Sequence, residues 1–299
     1  ELAAAVSDES GAMLGTPLYF HRLVLFFNRD YLNSSNIPNP PRTWEELGEQ
    51  AKILTRLSAV GGIQRSGVAL GASSNVEHVA DILLALIYQS GGKIVDETGK
   101  RSAIANPAAE SAMLFYTSFI NPTKKTYSWN SFFDNSLRAF ANGDAAIILG
   151  YAADAPKIAA LNPQLNFDVS PLPQPSKAET QINFGRFDLM TVSRVSKNTD
   201  QAWKFLLWLQ SKDAQKLYID SVGLPPSRRD LVLSKPPREY LSVFYDQVLS
   251  ARTIPITLGD SLPAIINDMI DSASNRRFTI QQAIDQAATK INAALKKPE

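Results

Sequence analysis

The chain contains no cysteine, which removes disulfides, thiolate metal sites, iron-sulfur clusters and cysteine nucleophiles together and leaves the redox compartment open. Histidine is scarce: only His21 and His78 can supply imidazole chemistry. Neither sign of charge is in excess, because 30 Lys plus Arg face 29 Asp plus Glu for a net charge of +1. No whole-chain field therefore favours a phosphate backbone or an anionic membrane, and nucleic acid is not an expected partner. The longest apolar run, Ile82 to Tyr88, is far below the roughly 18 to 20 residues needed to span a bilayer. No charged region followed by an apolar one precedes Ser7-Asp8-Glu9, so any signal segment is expected outside this sequence. Gly-x-Ser-x-Gly, Walker and His-Glu-x-x-His motifs are all missing. A carboxylate-pair glycoside hydrolase stays open, since spacing in sequence does not report distance in space.

The chain has 299 residues, 44% of them apolar and 20% charged, which suits a globular protein of about two domains. Leu23 to Phe27 is an unbroken apolar run and reads as a buried strand. Thr43-Trp44-Glu45-Glu46 is a capping box, after which Trp44, Leu47, Ala51, Leu54 and Leu57 line a helix predicted to end near Gly61-Gly62. A short strand between Gly67 and Gly71 follows, and then a helix through Val76, Val79, Leu83 and Ile87, closed at Gly91-Gly92. Asn106-Pro107 opens another helix, and a further one ends at Gly143. Strands are predicted at Ala145 to Leu149, Asn166 to Ser170 and Asp188 to Val192. Helices follow at Ala202 to Leu209 and Ser211 to Val222, and then through Leu241, Phe244 and Val248, through Leu262 to Ala273, and from Thr279 to Ile291. Alternating strands and helices predict an α/β architecture and argue against the other alternative, a helical protein-interaction module.

Several local patterns in fixed order resemble one family. They are Gly15-Thr16-Pro17 leading to Leu25-Phe26-Phe27-Asn28-Arg29-Asp30, Pro41-Arg42-Thr43-Trp44-Glu45-Glu46-Leu47, Gln89-Ser90-Gly91-Gly92, Phe140-Ala141-Asn142-Gly143-Asp144, Pro171-Leu172-Pro173, Ala202-Trp203-Lys204-Phe205-Leu206 and Gly223-Leu224-Pro225. No one of them is specific, but their joint order resembles the maltose-binding-protein-like extracellular solute-binding proteins of bacterial ABC importers. That resemblance implies a two-lobed fold of the periplasmic-binding-protein type II kind, with ligand held between the lobes. It also implies a non-enzymatic protein outside the cytoplasmic membrane, in the periplasm or anchored to the membrane. The expected partners are a small solute, most simply a sugar, and the permease subunits; a monomer without cofactors is expected. Family members carry a leading segment before the position of Glu1, so the second lobe (21–185 and 226–299) is expected nearly complete and the first (1–20 and 186–225) truncated. Apolar faces around Trp203, Phe205, Leu206 and Leu217 are then expected in water.

The candidate ligand-binding residues are His21, Asn75, His78, Trp129, Tyr151, Asp154, Phe184 and Arg186. His21 lies at the first expected crossing between lobes, and a neutral imidazole both donates to and accepts from a hydroxyl. Asn75 reads as a helix N-cap or a ligand contact; His78, and Asp81 a turn later, read as solvated or cleft-lining. Trp129 stands apart from any apolar stripe and, if exposed, would stack on a sugar ring; a buried loop anchor is the alternative. Tyr151 and Asp154 follow a strand end, where α/β folds place ligands. Phe184 and Arg186 lie at the second crossing, and Arg186 either clamps an anion or pairs with Asp188.

Overall fold

The computed structural model describes residues 14–232, 242–245, 251–253, 258–259 and 261–296. Eight strands and twelve helices are defined among them. In chain order they begin β1 (Thr16–Arg22), β2 (Val24–Asn28), α1 (Arg29–Ser34), α2 (Trp44–Leu54), β3 (Arg56–Leu57), β4 (Ile63–Val68), α3 (Val79–Gln89), α4 (Pro107–Ser118), α5 (Ser136–Asn142) and β5 (Ala145–Gly150). They continue with α6 (Asp154–Leu161), β6 (Phe167–Pro171), β7 (Asn183–Met190), α7 (Thr199–Leu209), α8 (Lys212–Val222), α9 (Arg229–Val232), α10 (Ser242–Tyr245), β8 (Ala251–Arg252), α11 (Ser261–Ser274) and α12 (Ile280–Leu295).

Two sheets organise the chain. The larger has five strands in the order β3-β4-β5-β2-β6, with β4 and β5 parallel and the other pairs antiparallel. Strand β2 is paired on both edges and buried at every position, which is why its apolar run does not alternate. Helices α3 and α4 pack on each other, and α11 and α12 pack together and against them. Gln89, at the end of α3, ties these layers: its Oε1 accepts from Trp44 Nε1 at 2.6 Å and its amide donates to the Pro173 and Ile182 carbonyls.

The smaller sheet is β1-β7-β8, with β1 antiparallel to β7 and β7 parallel to β8. Helix α7 packs on β1 and on α8. Phe205, Leu207, Trp208 and Leu217 on these helices are more than half exposed. Of the residues expected in water, Phe205 and Leu217 are exposed, Trp203 is only partly so, and Leu206 faces inward and is buried. Strands β1 and β7 run unbroken through the boundaries expected at 20/21 and 185/186.

Most local expectations are met in detail. The capping box expected at Thr43 forms with Glu46, and a second one, Thr279 with Gln282, opens α12. Asn106 caps α4 with Pro107 in its first turn, and Gly143 and Gly223 end α5 and α8 in the left-handed conformation. Three readings need correction. Helix α2 stops at Leu54, because Thr55 turns extended and Arg56–Leu57 pairs with β4, leaving Leu57 exposed instead of on an apolar stripe. Strand β7 begins at Asn183, not Asp188, because the chain pairs with β1 from Gly185 opposite Arg22 onward. Strand β1 was not anticipated, although Thr16, Leu18, Phe20 and Arg22 alternate as buried positions with more open ones. The predicted helix through Leu241 and Val248 falls largely outside the described residues.

Candidate functional site

Five of the eight candidate residues converge where the two sheets meet. Strand β1 alternates, so Tyr19 and His21 share its more open face, and β7 places Arg186 directly opposite His21 in register. From the larger sheet, the turn after β5 brings Tyr151 and Asp154, and the start of α3 brings His78 and Asp81. The Tyr151 ring lies between the two imidazoles, with centroids 5.5 Å from His21 and 4.6 Å from His78. Tyr19 packs edge-on to His21 at 4.7 Å and parallel to Tyr218 at 6.3 Å.

Two buried carboxylates anchor this group. Asp154 Oδ2 accepts from the Tyr151 amide at 2.8 Å and from His78 Nε2 at 2.7 Å, while Oδ1 accepts from Lys157 Nζ at 3.0 Å. Burial pushes its pKa up, but the bonds from His78, the Tyr151 amide and Lys157 outweigh burial and hold it at about 2. Asp81 Oδ1 accepts from Arg186 Nε at 2.9 Å and lies 2.8 Å from its Nη2 in an ion pair, and its Oδ2 accepts the Tyr151 hydroxyl at 2.8 Å. There burial wins over Arg186 and Tyr151, and the pKa is raised. Burial, and then the neighbouring Asp81 charge, push the Tyr151 phenol well above its usual range. Burial also lowers the pKa of His21, against the opposing pull of Asp188 and Asp154. Its Nδ1 is buried and makes no hydrogen bond.

His78 holds a left-handed backbone, φ 56°, at the N-cap of α3, and its side chain does not cap the helix. For a non-glycine residue that conformation costs about 1–2 kcal/mol. It is held here by the imidazole bond to Asp154.

The other three candidates lie elsewhere. Trp129 is fully buried: Ser128 Oγ clasps both the amide and the carbonyl of Val68, and Trp129 itself stacks on Phe133 at 4.6 Å and donates to Asn75 Oδ1 at 2.8 Å. No face of its ring is open to a sugar. Asn75 is not a cap, because α3 begins only after His78; its amide instead donates to the Asn130 and Phe133 carbonyls and fixes the Trp129 loop. Phe184 is buried against Tyr88 under α3. Arg186 pairs with Asp81, and Asp188 instead accepts from the Tyr19 hydroxyl. Tyr19 and Lys157 were missed. The signals were there: Tyr19 is two residues before His21 on a strand, and Lys157 three after Asp154 on a helix.

Two sheets, each with helices packed on it, give the chain an α/β architecture. Residues 3–216 match the family described as bacterial extracellular solute-binding protein, and the chain belongs to that family. A protein of Brucella abortus (strain 2308) described as a binding protein is 24% identical over 304 aligned residues, 99% of this chain and 71% of its own length. An ABC transporter solute-binding protein of Thermotoga lettingae bound with α-D-tagatose superposes with a TM-score of 0.80 at 22% identity, covering 98% of this chain and 75% of that one. Maltose-bound MalE3 of T. maritima gives 0.75 at 20% identity, covering 97% and 74%. UgpB of Mycobacterium tuberculosis in complex with glycerophosphocholine gives 0.78 at 20%, covering 98% and 73%. Among the described residues no helix is long and apolar enough to cross a membrane, and no group of His, Asp and Glu is arranged to hold a metal ion.

Proposed function

We propose that this chain binds a small uncharged carbohydrate at the His21, His78, Tyr151 and Arg186 junction, outside the cytoplasmic membrane, and delivers it unchanged, as a monomer, to the permease of an ABC importer. The observation that carries this reading is the junction itself. The partly open rings of Tyr19, His21 and His78 and a half-open guanidinium supply the apolar faces and hydroxyl partners that a sugar needs. The tagatose and maltose complexes of proteins with the same fold support the solute class.

The junction also suits capture by closure. Tyr19, His21 and Arg186 stand on the small sheet, while His78 and Asp81 stand at the start of α3 and Tyr151 and Asp154 follow β5 of the large sheet, so a solute touching both sets favours the conformer that brings them together. Such a ligand shifts the population only as far as its affinity differs between conformers.

One observation favours the hydrolase alternative: two carboxylates with pKa values displaced in opposite directions is the pattern of an acid and a base. Both are nine-tenths buried or more, and their oxygens are taken by Arg186, Tyr151, His78 and Lys157. Titrating the chain calorimetrically with maltose, mannobiose and tagatose, with chromatography of the recovered sugar, tests the reading. Saturable binding with intact sugar is expected, and turnover without saturable binding would refute it.

A further inference from the structure

We infer that Asp81 is a specificity-determining residue: by neutralising Arg186 it makes the junction take uncharged solutes and reject anionic ones. The inference rests on the reading of the junction as the solute site and adds which feature of the chain selects the solute's charge.

Arg186 alone would make an anion clamp. A guanidinium is planar, permanently charged and shaped for two-point contact with carboxylate or phosphate. Its side chain is 37% exposed, and it stands beside His21 at the surface of the junction. Yet two of its nitrogens, Nε and Nη2, converge on one oxygen of Asp81. Among the described residues Nη1 makes no hydrogen bond, so it can still donate to a neutral hydroxyl. The carboxylate behind it is 4% exposed, where its field is weakly screened by water. The same face carries Asp188, bonded to Tyr19, and Lys157, a second cation of this group, is matched by Asp154. Among the described residues of this group, an arriving anion therefore meets positive charge that is already matched by a carboxylate.

Stability does not explain Asp81. Buried ion pairs roughly break even or cost stability against apolar replacements, and burial raises this carboxyl's pKa, so its charge is held against a desolvation cost. The nearest donors that gain from that charge are Arg186 and the Tyr151 hydroxyl, both of which line the junction.

The test compares the parent with Asp81→Asn, which keeps the shape and removes the charge. The probes are maltose, mannobiose and tagatose against glucuronate, galacturonate and glycerol 3-phosphate, titrated at pH 7 in low salt. The parent should prefer a neutral probe. In Asp81→Asn the ratio of anionic to neutral affinity should rise at least tenfold, the gain should fade with added salt, and adding Arg186→Gln should abolish it. A folded Asp81→Asn with an unchanged ratio, a gain that survives Arg186→Gln, or a parent that prefers an anion would overturn the inference. If Asp81→Asn does not fold, Asp81→Ser replaces it, with the same rise in the ratio of anionic to neutral affinity expected and the same outcomes overturning the inference. Parent binding that ignores both His21→Ala and Tyr151→Phe, or no binding of any probe, instead defeats the underlying reading of the junction.

Discussion

Replacing Asp154 with Asn should destabilise the chain at neutral pH by about 2 kcal/mol, and the size follows from its partners. Its two oxygens take bonds from His78, the Tyr151 amide and Lys157, and these hold the carboxyl at about 2 against an ordinary 3.8. At 1.36 kcal/mol for each tenfold change in proton affinity, that displacement corresponds to about 2 kcal/mol favouring the folded, ionised form. Because the folded pKa is depressed, this stabilisation is complete above about pH 4 and disappears as pH falls through 2. Asp81 works in the opposite sense. Its raised pKa means that its protonation favours the folded state as acid is added. Urea unfolding of parent and variant at pH 7, 5, 3 and about 2 separates the two terms. The parent should lose its advantage over Asp154→Asn across the acid range, and the variant should show a flatter dependence on pH. Equal stability at pH 7, or equal steepness below pH 4, would show that these bonds do not carry the energy assigned to them.

Trp129→Ala should lower stability by about 3–5 kcal/mol, since the ring is fully buried and holds Asn75; thermal unfolding reads this, and an unchanged melting temperature with weakened sugar binding would return Trp129 to the binding surface. Gly67→Ala should cost about 1–3 kcal/mol, because the added Cβ would sit 2.3 Å from the Ala51 carbonyl oxygen; a urea midpoint equal to the parent's would contradict it. Thr43→Ala should cost about 1 kcal/mol by removing the α2 cap, read in the same way. Tyr151→Phe leaves Asp81 without its hydroxyl partner and should cost about 1–3 kcal/mol together with weaker sugar binding; calorimetry and urea unfolding on one sample check both.

Much of the fold could be read locally because it is locally determined. The capping residues Thr43 and Thr279, Pro107 in the first turn of α4 and the glycines closing α5 and α8 act through neighbours in sequence. The central strand announced itself by being apolar at every position. What escaped depends on distant partners: β1 exists through its pairing with β7, and α2 ends where β3 finds β4. The junction divides the same way. Tyr151 and Asp154 were visible because strand ends in α/β folds face ligands, and His21 through the family resemblance at the first crossing. For Trp129 the buried loop anchor, one of its two readings, is the one observed, and Phe184 is buried too; neither could be decided locally because nothing local reports burial. The Asp81 to Arg186 pair spans 105 positions and joins a helix to a strand of another sheet, whereas Asp188, two residues away, looked the simpler partner for Arg186.

The most direct test of the central claim is calorimetric titration of the full chain with the neutral sugars, run in parallel on the parent, His21→Ala and Tyr151→Phe. Saturable binding with one site per chain, sugar recovered intact, and affinity lost at least tenfold in both variants is the predicted result. Binding indifferent to both substitutions, or hydrolysis of the sugar, would contradict it.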